Sequence, residues 1–286
     1  MRSECDVVLC ALAAGALGFA PAAAAFEEPL WEVGLGVAAV HFPDYRGASR
    51  SQTYALPAPY FVYRGDFFKA DRDGVRGIFF KTDRLNLNLS LGASLPVDSA
   101  DNPVRAGMPD LRGAIEVGPS LDYSMWRSSD GRSRLELRLP VRGAISVESS
   151  PQFIGTQFFP NANVDVRDPL GFPGWNLGLV AGPVFTDARF NRYYYEVPPE
   201  FATPGRPAYS PGGGYGGAQF IVALSKRFPK FWVAAFARYD TLKGAVFEES
   251  PLVTSSRYVA GGIAIAWVFA ESSQRVPALD AQGRRR

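Results

Sequence analysis

Three stretches near the carboxy terminus decide the fold: Gly214–Ser225 (GYGGAQFIVALS), Phe231–Tyr239 (FWVAAFARY) and Tyr258–Phe269 (YVAGGIAIAWVF). In each, apolar residues alternate with small or polar ones over about ten residues, with glycine, alanine and aromatic residues at the ends. This length and this period of two suit a tilted strand that crosses a bilayer. The pattern therefore predicts an outer-membrane β-barrel.

The amino terminus has the features of an export signal. Val7–Ala20 (VVLCALAAGALGFA) is an apolar run too short to span a bilayer well, and Pro21 and Ala22–Ala25 follow it. We predict a secretory signal peptide with cleavage near Ala25, and the outer membrane of a Gram-negative bacterium as the destination. The alternative is a retained helical anchor.

Strand-like segments recur along the rest of the chain, without a long helical period. Besides the three stretches above, we predict strands at Trp31–Val40, Thr53–Tyr63, Phe67–Thr82 (kinked near Asp73), Leu85–Leu95, Arg112–Trp126, Arg134–Val147, Gly155–Val166, Trp175–Phe185 and Asn191–Val197. The expected fold is all-β, a single closed antiparallel transmembrane barrel of about 12 strands, within a range of roughly 10 to 14. It would occupy residues 26–269, between a signal peptide at 1–25 and a basic, disordered tail at 270–286.

Alternation assigns each side chain of such a strand either to lipid or to the lumen, with apolar groups outward and polar groups inward. The candidate lumen-lining residues are Asn86, Asn88, Glu116, Asp122, Glu136, Arg138, Arg142 and Arg238. Two arrangements are open: they line a water-filled channel, or they pair across neighbouring strands and fill a narrow barrel. The inward residues of the last strand, from Ala260 to Ala266, are small and leave room for water, an inserted loop or larger side chains opposite.

Aromatic residues gather near the ends of the predicted strands. They are Trp31, Tyr63, Trp126, Trp175, Trp232, Trp267 and Phe269. Such girdles mark the two membrane interfaces of a barrel, whereas a soluble β-sandwich would show the alternation alone. Trp267 and Phe269, one residue apart, are also a candidate signal for the machinery that assembles barrels.

The sequence offers little for catalysis or metal binding. His41 is the only histidine, and both cysteines, Cys5 and Cys10, lie in the predicted leader. A Ser-His-Asp site would have to use His41, and metal binding through histidine and cysteine lacks ligands. We therefore predict a protein that is not an enzyme and uses no cofactor or metal. Its net charge of +2 argues against nucleic-acid binding.

Several segments, in this order, resemble the MipA/OmpV family of outer-membrane proteins. They are YRGAS at Tyr45–Ser49, PYFVYRGDFF at Pro59–Phe68, the run Asp101–Tyr123, RYYYEV at Arg192–Val197, and GYGGAQFIVALSKRF at Gly214–Phe228 with RYDTLKGAVFEESPLV at Arg238–Val253. Their order and spacing are more specific than any one segment. The resemblance implies a single barrel in outer-membrane lipid that acts as a scaffold for a peptidoglycan hydrolase and a synthase. Other members are linked to adhesion, osmotic response and antibiotic passage.

Three functions are therefore considered. The first is a non-enzymatic scaffold for peptidoglycan-remodelling enzymes, and the alternative is a porin-like passive channel for small solutes. The third is an adhesin that uses the long loops, which lie at His41–Gln52, Pro96–Leu111, Pro198–Gly213 and Thr241–Ser255. If Phe67–Thr82 is one strand, the loop from Pro96 falls among the short periplasmic turns, which conflicts with the usual sidedness of bacterial barrels.

Overall fold

The computed structural model describes residues 27–64, 68–71, 74–77, 80–82 and 84–277. The predicted signal peptide, its cleavage site near Ala25 and residues 278–286 lie outside the described residues. Within them the chain is all-β with a few short helices. Among the described residues, no helix combines the length and the apolar character that crossing a membrane requires.

The strands are numbered in chain order. They are β1 (Glu27–Pro29), β2 (Trp31–Pro43), β3 (Ser51–Arg64), β4 (Phe68–Asp71), β5 (Gly74–Gly77), β6 (Phe80–Lys81), β7 (Leu85–Ser94), β8 (Ala114–Arg127), β9 (Ser133–Ser146), β10 (Phe153–Phe158), β11 (Asn161–Arg167), β12 (Trp175–Thr186), β13 (Gly214–Arg227), β14 (Phe231–Thr241), β15 (Arg257–Glu271) and β16 (Arg275–Pro277). The helices of the described part are α1 (Ala188–Tyr195) and short 3₁₀ turns at Ser99–Asp101, Pro169–Gly171 and Pro199–Phe201.

All of these strands except β1 and β16 form one antiparallel sheet of 14 strands. Its order is β5-β4-β3-β2-β15-β14-β13-β12-β10-β9-β8-β7-β6. β10 and β11 share a lane, because each pairs with both β9 and β12. The two ends of this path, β5 and β6, are separated in the chain only by residues 78–79, and β5 lies beside β7. The ends of the sheet are therefore close together.

The connections differ in length between the two ends of the sheet. The long segments 44–50, 95–113, 147–152, 187–213 and 242–256 lie at one end, which we call the loop end. The short segments 128–132, 168–174 and 228–230 lie at the other, the turn end. β1 and β16 pair with each other there, beside the start of β2 and the end of β15. Both ends of the described chain thus lie at the turn end.

Two predicted strands are wrong. The segment Asn191–Val197 is not a strand, because most of it belongs to α1. The segment Phe67–Thr82 is not one kinked strand, because β4 and β5 form an antiparallel hairpin in which Phe68 faces Gly77. The other predicted strands are present, and Gly155–Val166 is divided into β10 and β11.

The hairpin explains the sidedness conflict raised by the sequence. It adds one strand to the region predicted as a single strand, so every later connection changes ends. The segment 95–113 consequently joins the other long segments at the loop end, and the turn 128–132 lies at the turn end.

The predicted disordered tail also differs from the structure in its first part. Ala270 and Glu271 continue β15, and Arg275–Pro277 forms β16 opposite β1. The carbonyl of Gln274 accepts a hydrogen bond from the Leu30 amide at 2.9 Å. The chain after Phe269 therefore turns back onto the start of the sheet, at least as far as Pro277.

The two faces of the sheet differ as the alternation predicts. Large apolar side chains stay exposed on the outer face, including Val37, Val259, Ile263 and Trp267, each more than half exposed. Residues next to them in sequence, such as Ala260 and Ala266, are buried. A soluble sandwich would bury the apolar face instead.

Glycine allows close approach of neighbouring strands at two bends of the wall. A Cβ at Gly36 of β2 would lie 1.9 Å from the carbonyl oxygen of Ile265 in β15. A Cβ at Gly118 of β8 would lie equally close, 1.9 Å, to the carbonyl oxygen of Val141 in β9. Glycine inside a strand often marks such tight bends.

Candidate functional site

The first polar cluster lies on the inward face of β7, β8 and β9. Asn88 Nδ2 donates a hydrogen bond to Asp122 Oδ2 at 2.5 Å, and Ser120 Oγ donates to Asp122 Oδ1 at 2.5 Å. Arg138 Nη2 donates to Glu136 Oε2 at 2.9 Å, and its Nε lies 4.0 Å from Asp122 Oδ2. The structure thus brings four of the predicted inward residues together.

Asp165 of β11 extends this cluster and was missed by the sequence analysis. Its carboxylate is fully buried and accepts hydrogen bonds from Arg134 Nε at 2.6 Å and Asn163 Nδ2 at 2.9 Å. Arg138 Nη2 lies 4.0 Å from the same carboxylate. The signal was present in the sequence, since Asn161, Asn163 and Asp165 alternate with apolar residues as the inward residues of other strands do.

The remaining predicted residues of this wall are less connected. Arg142 Nε donates to Ser90 Oγ at 2.8 Å, and Arg142 Nη1 lies 3.5 Å from Glu116 Oε2. This pair lies nearer the loop end than the cluster around Asp122. Asn86 is half-buried and stands opposite Asp122 in the register of β7 and β8.

Arg238 lies apart from the other predicted residues, in a second cluster on β14. The Asp240 carboxylate is fully buried and accepts from Arg238 Nε at 2.5 Å and from Arg46 Nε at 3.1 Å. Gln219 Nε2 donates to Asp240 Oδ1 at 3.3 Å, and Arg238 Nη2 donates to the Tyr258 hydroxyl at 2.9 Å. Arg46 belongs to the first long loop, so this cluster joins the loop end to the sheet.

Four long segments pack together at the loop end into what we call the cap: 44–50, 95–113, 187–213 and 242–256. Its buried apolar core includes Tyr45, Val97, Leu111, Tyr195, Val197, Leu242, Phe247 and Leu252. The rings of Tyr195 and Phe247 stack with centroids 3.8 Å apart and planes 7° apart. The cap is a packed unit with its own core.

Buried hydrogen bonds join the segments of the cap. The Tyr45 hydroxyl donates to the Leu252 carbonyl at 2.7 Å, and Ser250 Oγ donates to the Tyr195 carbonyl at 2.7 Å. The Tyr195 hydroxyl donates to the Arg46 carbonyl at 2.9 Å. Burial raises the pKa of both tyrosine hydroxyls well above its usual value. Both therefore stay neutral donors at physiological pH.

α1 forms in the cap because its start is capped and its aromatic residues share one face. Asp187 Oδ1 accepts from the Phe190 amide at 2.7 Å, which satisfies one free donor of the first turn. The Phe190 and Tyr194 rings, four residues apart, lie 5.1 Å apart. The buried Arg105 donates to the Tyr194 carbonyl at 3.3 Å, so the segment 95–113 is tied to this helix.

The turn 168–174, at the opposite end, is strained and apolar. Asp168 and Leu170 have φ of 48° and 56°, and they are the only non-glycine residues with positive φ in the described part of the chain. The Leu170 side chain is 95% exposed and that of Phe172 is 59% exposed. The Asp168 carboxylate accepts from the Gly174 amide at 2.6 Å, which holds the turn closed.

Two lysines lie at or beside this turn. Lys226 Nζ donates to the Pro173 carbonyl at 2.9 Å. Lys230, in the neighbouring turn, is exposed. We call Leu170 and Phe172, with Lys226 and Lys230 as a basic rim, the docking turn.

A third buried carboxylate lies at the turn end, beside an open cleft of about 310 Å³. Glu32 Oε1 accepts from Arg64 Nη2 at 2.7 Å, and Glu32 Oε2 accepts from Arg227 Nη2 at 2.8 Å. Phe228 and Glu271 also line the cleft. This network of ion pairs joins β2, β3 and β13 where the described chain begins and ends.

The predicted aromatic girdle is partly present. Trp126, Trp267 and Phe269 are more than half exposed on the outer face. Trp232 does not belong to it, because its ring packs 5.9 Å from that of Tyr60, on the inward face. β15 continues to Glu271, so the candidate assembly signal Trp267 and Phe269 does not end its strand.

His41, the only histidine of the sequence, contacts a threonine of the neighbouring strand. His41 Nδ1 lies 2.9 Å from Thr53 Oγ1, at an exposed position. The described residues contain no group of three or more histidine, cysteine, aspartate or glutamate side chains placed to hold a metal ion.

A continuous antiparallel sheet with an apolar outer face, a charged inner face and long loops at one end defines the outer-membrane class of β proteins. The family model described as MltA-interacting protein MipA matches residues 35–269. The chain therefore belongs to the MipA family, and it is an outer-membrane protein.

Two curated relatives agree with this assignment. The chain is 26% identical over 217 residues to outer membrane protein OmpV of Vibrio cholerae serotype O1, covering 73% of this chain and 76% of the relative. It is 25% identical over 217 residues to outer membrane protein Omp26La of Vibrio anguillarum, with the same coverage, 73% and 76%. Both are named as outer membrane proteins and not as enzymes.

Among solved structures, a bacterial polysaccharide outer membrane secretin matches 84% of this chain and 99% of its own length, with 8% identity and a TM-score of 0.38.

Proposed function

We propose that the protein is a single closed, non-enzymatic outer-membrane barrel that holds a cell-wall enzyme at its turn end. The barrel would have about 12 lanes. The sheet has 14 strands, of which β10 shares a lane with β11, and closure would put β5 and β6, the two ends of the path, in one lane as well. The closeness of β5 to β7 supports closure.

The turn end faces the periplasm in this proposal. Bacterial barrels carry short turns on the periplasmic side and long loops outside. The cap then faces the cell exterior, and the docking turn faces the cell wall.

The observation that carries the proposal is the docking turn. Left-handed backbone at a non-glycine residue costs of order 1–3 kcal/mol and persists where the surroundings or the function require it. Here the strain presents Leu170 and Phe172 to solvent inside a basic rim. An apolar anchor with a charged rim fits a protein partner that has an apolar pocket edged by acidic residues.

The family name suggests the partner. The matching family is described as MltA-interacting, and we carry that interaction to this chain as part of the proposal. The partner would be a peptidoglycan hydrolase of the MltA type, with a synthase recruited to the same complex.

The test measures binding of a purified MltA-type hydrolase from the same organism to the folded, detergent-solubilised protein on a sensor surface. Saturable binding is expected, and the double variant Leu170→Ser with Phe172→Ser should bind at least about tenfold more weakly, since buried apolar anchors carry much of an interface's energy. Val246→Ser, an exposed apolar position on the cap, is the matched control and should bind normally. Absence of saturable binding to the folded wild-type protein would refute the proposed function.

A passive channel is the second candidate, because the inner face is charged. Arg138 and Arg142 keep about a fifth of their side-chain surface exposed, 21% and 20%, as residues beside water would. Against it, both arginines are paired with carboxylates, and the long loops pack together at the loop end, where they would narrow an opening. If this candidate is correct, Arg138→Glu should alter the ion selectivity of a measurable conductance.

A further inference from the structure

We propose that the underside of the cap holds a binding site for a small oxyanion of the phosphate or carboxylate type, between Arg46 and Arg238. The site does not depend on the docking function. It combines one residue of the cap with the wall of the sheet, so a bound anion would join the two.

Both oxygens of the Asp240 carboxylate already accept hydrogen bonds within this cluster. Asp240 Oδ1 accepts from Arg46 Nε at 3.1 Å, Arg238 Nη2 at 3.1 Å and Gln219 Nε2 at 3.3 Å. Asp240 Oδ2 accepts from Arg238 Nε at 2.5 Å. A single carboxylate therefore serves two guanidinium groups and one amide.

One donor of the cluster is left over. Arg46 Nη2 is buried and has no hydrogen-bond partner. The other polar groups of the cluster, the Gln219 amide and the Tyr258 hydroxyl, carry no charge that could balance the second arginine. The cluster therefore has a positive charge in excess and an unsatisfied donor at the same place.

These two features together favour an anion. A buried polar group without a partner costs free energy, and a buried charge without a counterion costs more. Guanidinium groups present several donors in one plane, which suits the oxygens of phosphate and carboxylate. An oxyanion would balance the excess positive charge and accept a hydrogen bond from the free donor, whereas a water molecule would only accept the hydrogen bond.

The two arginines of the cluster are partly exposed. The side chains of Arg46 and Arg238 keep 16% and 22% of their surface exposed, while Asp240 keeps none. The arginines are therefore the accessible part of the cluster. Because the Arg46 carbonyl also accepts from Tyr195, occupancy of the site should stabilise the cap.

The experiment follows thermal unfolding of the full-length folded protein in detergent against inorganic phosphate, with sodium chloride adjusted to constant ionic strength. A saturable rise in the unfolding temperature is expected, because a ligand that binds only the folded state stabilises it by mass action. Arg46→Gln and Arg238→Gln should each raise the half-saturating phosphate concentration about tenfold or more. Arg132→Gln, an exposed arginine at the turn end, is the control and should respond like the wild type.

The Asp240→Asn variant is expected to bind phosphate more tightly, a result that a folding defect would not produce. Removing the carboxylate removes the anion's competitor for both arginines, so half-saturation should occur at a lower phosphate concentration than in the wild type. A phosphate response that does not saturate, or that persists unchanged in both Arg46→Gln and Arg238→Gln, would overturn the proposal. So would weaker phosphate binding in a folded Asp240→Asn protein.

Discussion

At position 36 the wall leaves no room for a side chain, and the consequence is testable. We expect Gly36→Ala to lower sharply the yield of folded protein, because its Cβ would lie 1.9 Å from the Ile265 carbonyl oxygen. Gly205→Ala is the matched control, since nothing lies within 4 Å of a Cβ there. The yield is measured as the heat-modifiable band on unboiled gels, and equal yields for the two variants would contradict the account.

The buried carboxylate at Asp165 supports a second prediction. Asp165→Asn should destabilise the folded protein by about 3 kcal/mol, because it takes a counterion from Arg134 in a buried network. Urea unfolding in detergent measures the change. Asp130→Asn removes a partner of Arg132 from an exposed pair and should leave the unfolding midpoint unchanged. A similar midpoint for both variants would count against a stabilising inner network.

The sequence predicts which residues face inward but not which residues they meet. Alternation alone identifies Asn88, Asp122, Glu136 and Arg138 as inward residues. Their pairing depends on strand register, which no local pattern in this chain specifies. Arg46 and Asp240, 194 positions apart, meet only because a cap loop folds onto the end of β14. The docking turn was missed for a similar reason, since its exposure and strain are properties of the folded turn.

At the scale of the elements, the long strands were predictable and α1 was not. The tyrosine-rich segment Asn191–Val197 has strong strand propensity. Propensity is a weak guide where tertiary packing decides the conformation of a segment. Asp187 as a helix cap and the spacing of Phe190 and Tyr194 were the available signals for the helix. The hairpin of β4 and β5 was missed because each strand has only four residues. An alternating pattern that short does not identify a strand.

The cap should lose stability in alkaline solution. Burial raises the pKa of Tyr45, Tyr194 and Tyr195, so these hydroxyls ionise more readily once the cap opens. A tyrosine whose pKa is raised by folding contributes its full share to the stability of the folded state at pH values below its unfolded-state pKa, which is near pH 10. This contribution declines as the pH rises above that value.

Ultraviolet titration of phenolate absorbance tests this expectation. Some of the tyrosines should ionise only well above pH 10, together with increased proteolysis of the cap. The triple replacement of Tyr45, Tyr194 and Tyr195 by phenylalanine should remove their share of that late component. If all tyrosines of the wild type ionise together near pH 10, the buried cap is wrong.

At the scale of the whole molecule, the two ends of the sheet have different properties. The loop end carries a cap with an apolar core, while the turn end presents a strained apolar turn in a basic rim. Several of the charges between them are paired, either within β9 or across neighbouring strands. This division suits a protein that docks a partner on one side and is closed on the other.

If the barrel is closed by its own loops and acts by docking, it should not conduct ions, and single-channel recording in a planar bilayer measures this. The heat-modifiable, folded wild-type protein is expected to insert without conductance steps at neutral pH. Tyr195→Ala, which removes the ring stacked on Phe247 and the hydroxyl bonded to Arg46, should produce openings through the loosened cap. Stable, salt-dependent steps from the intact wild-type protein would contradict the claim and make the channel its function.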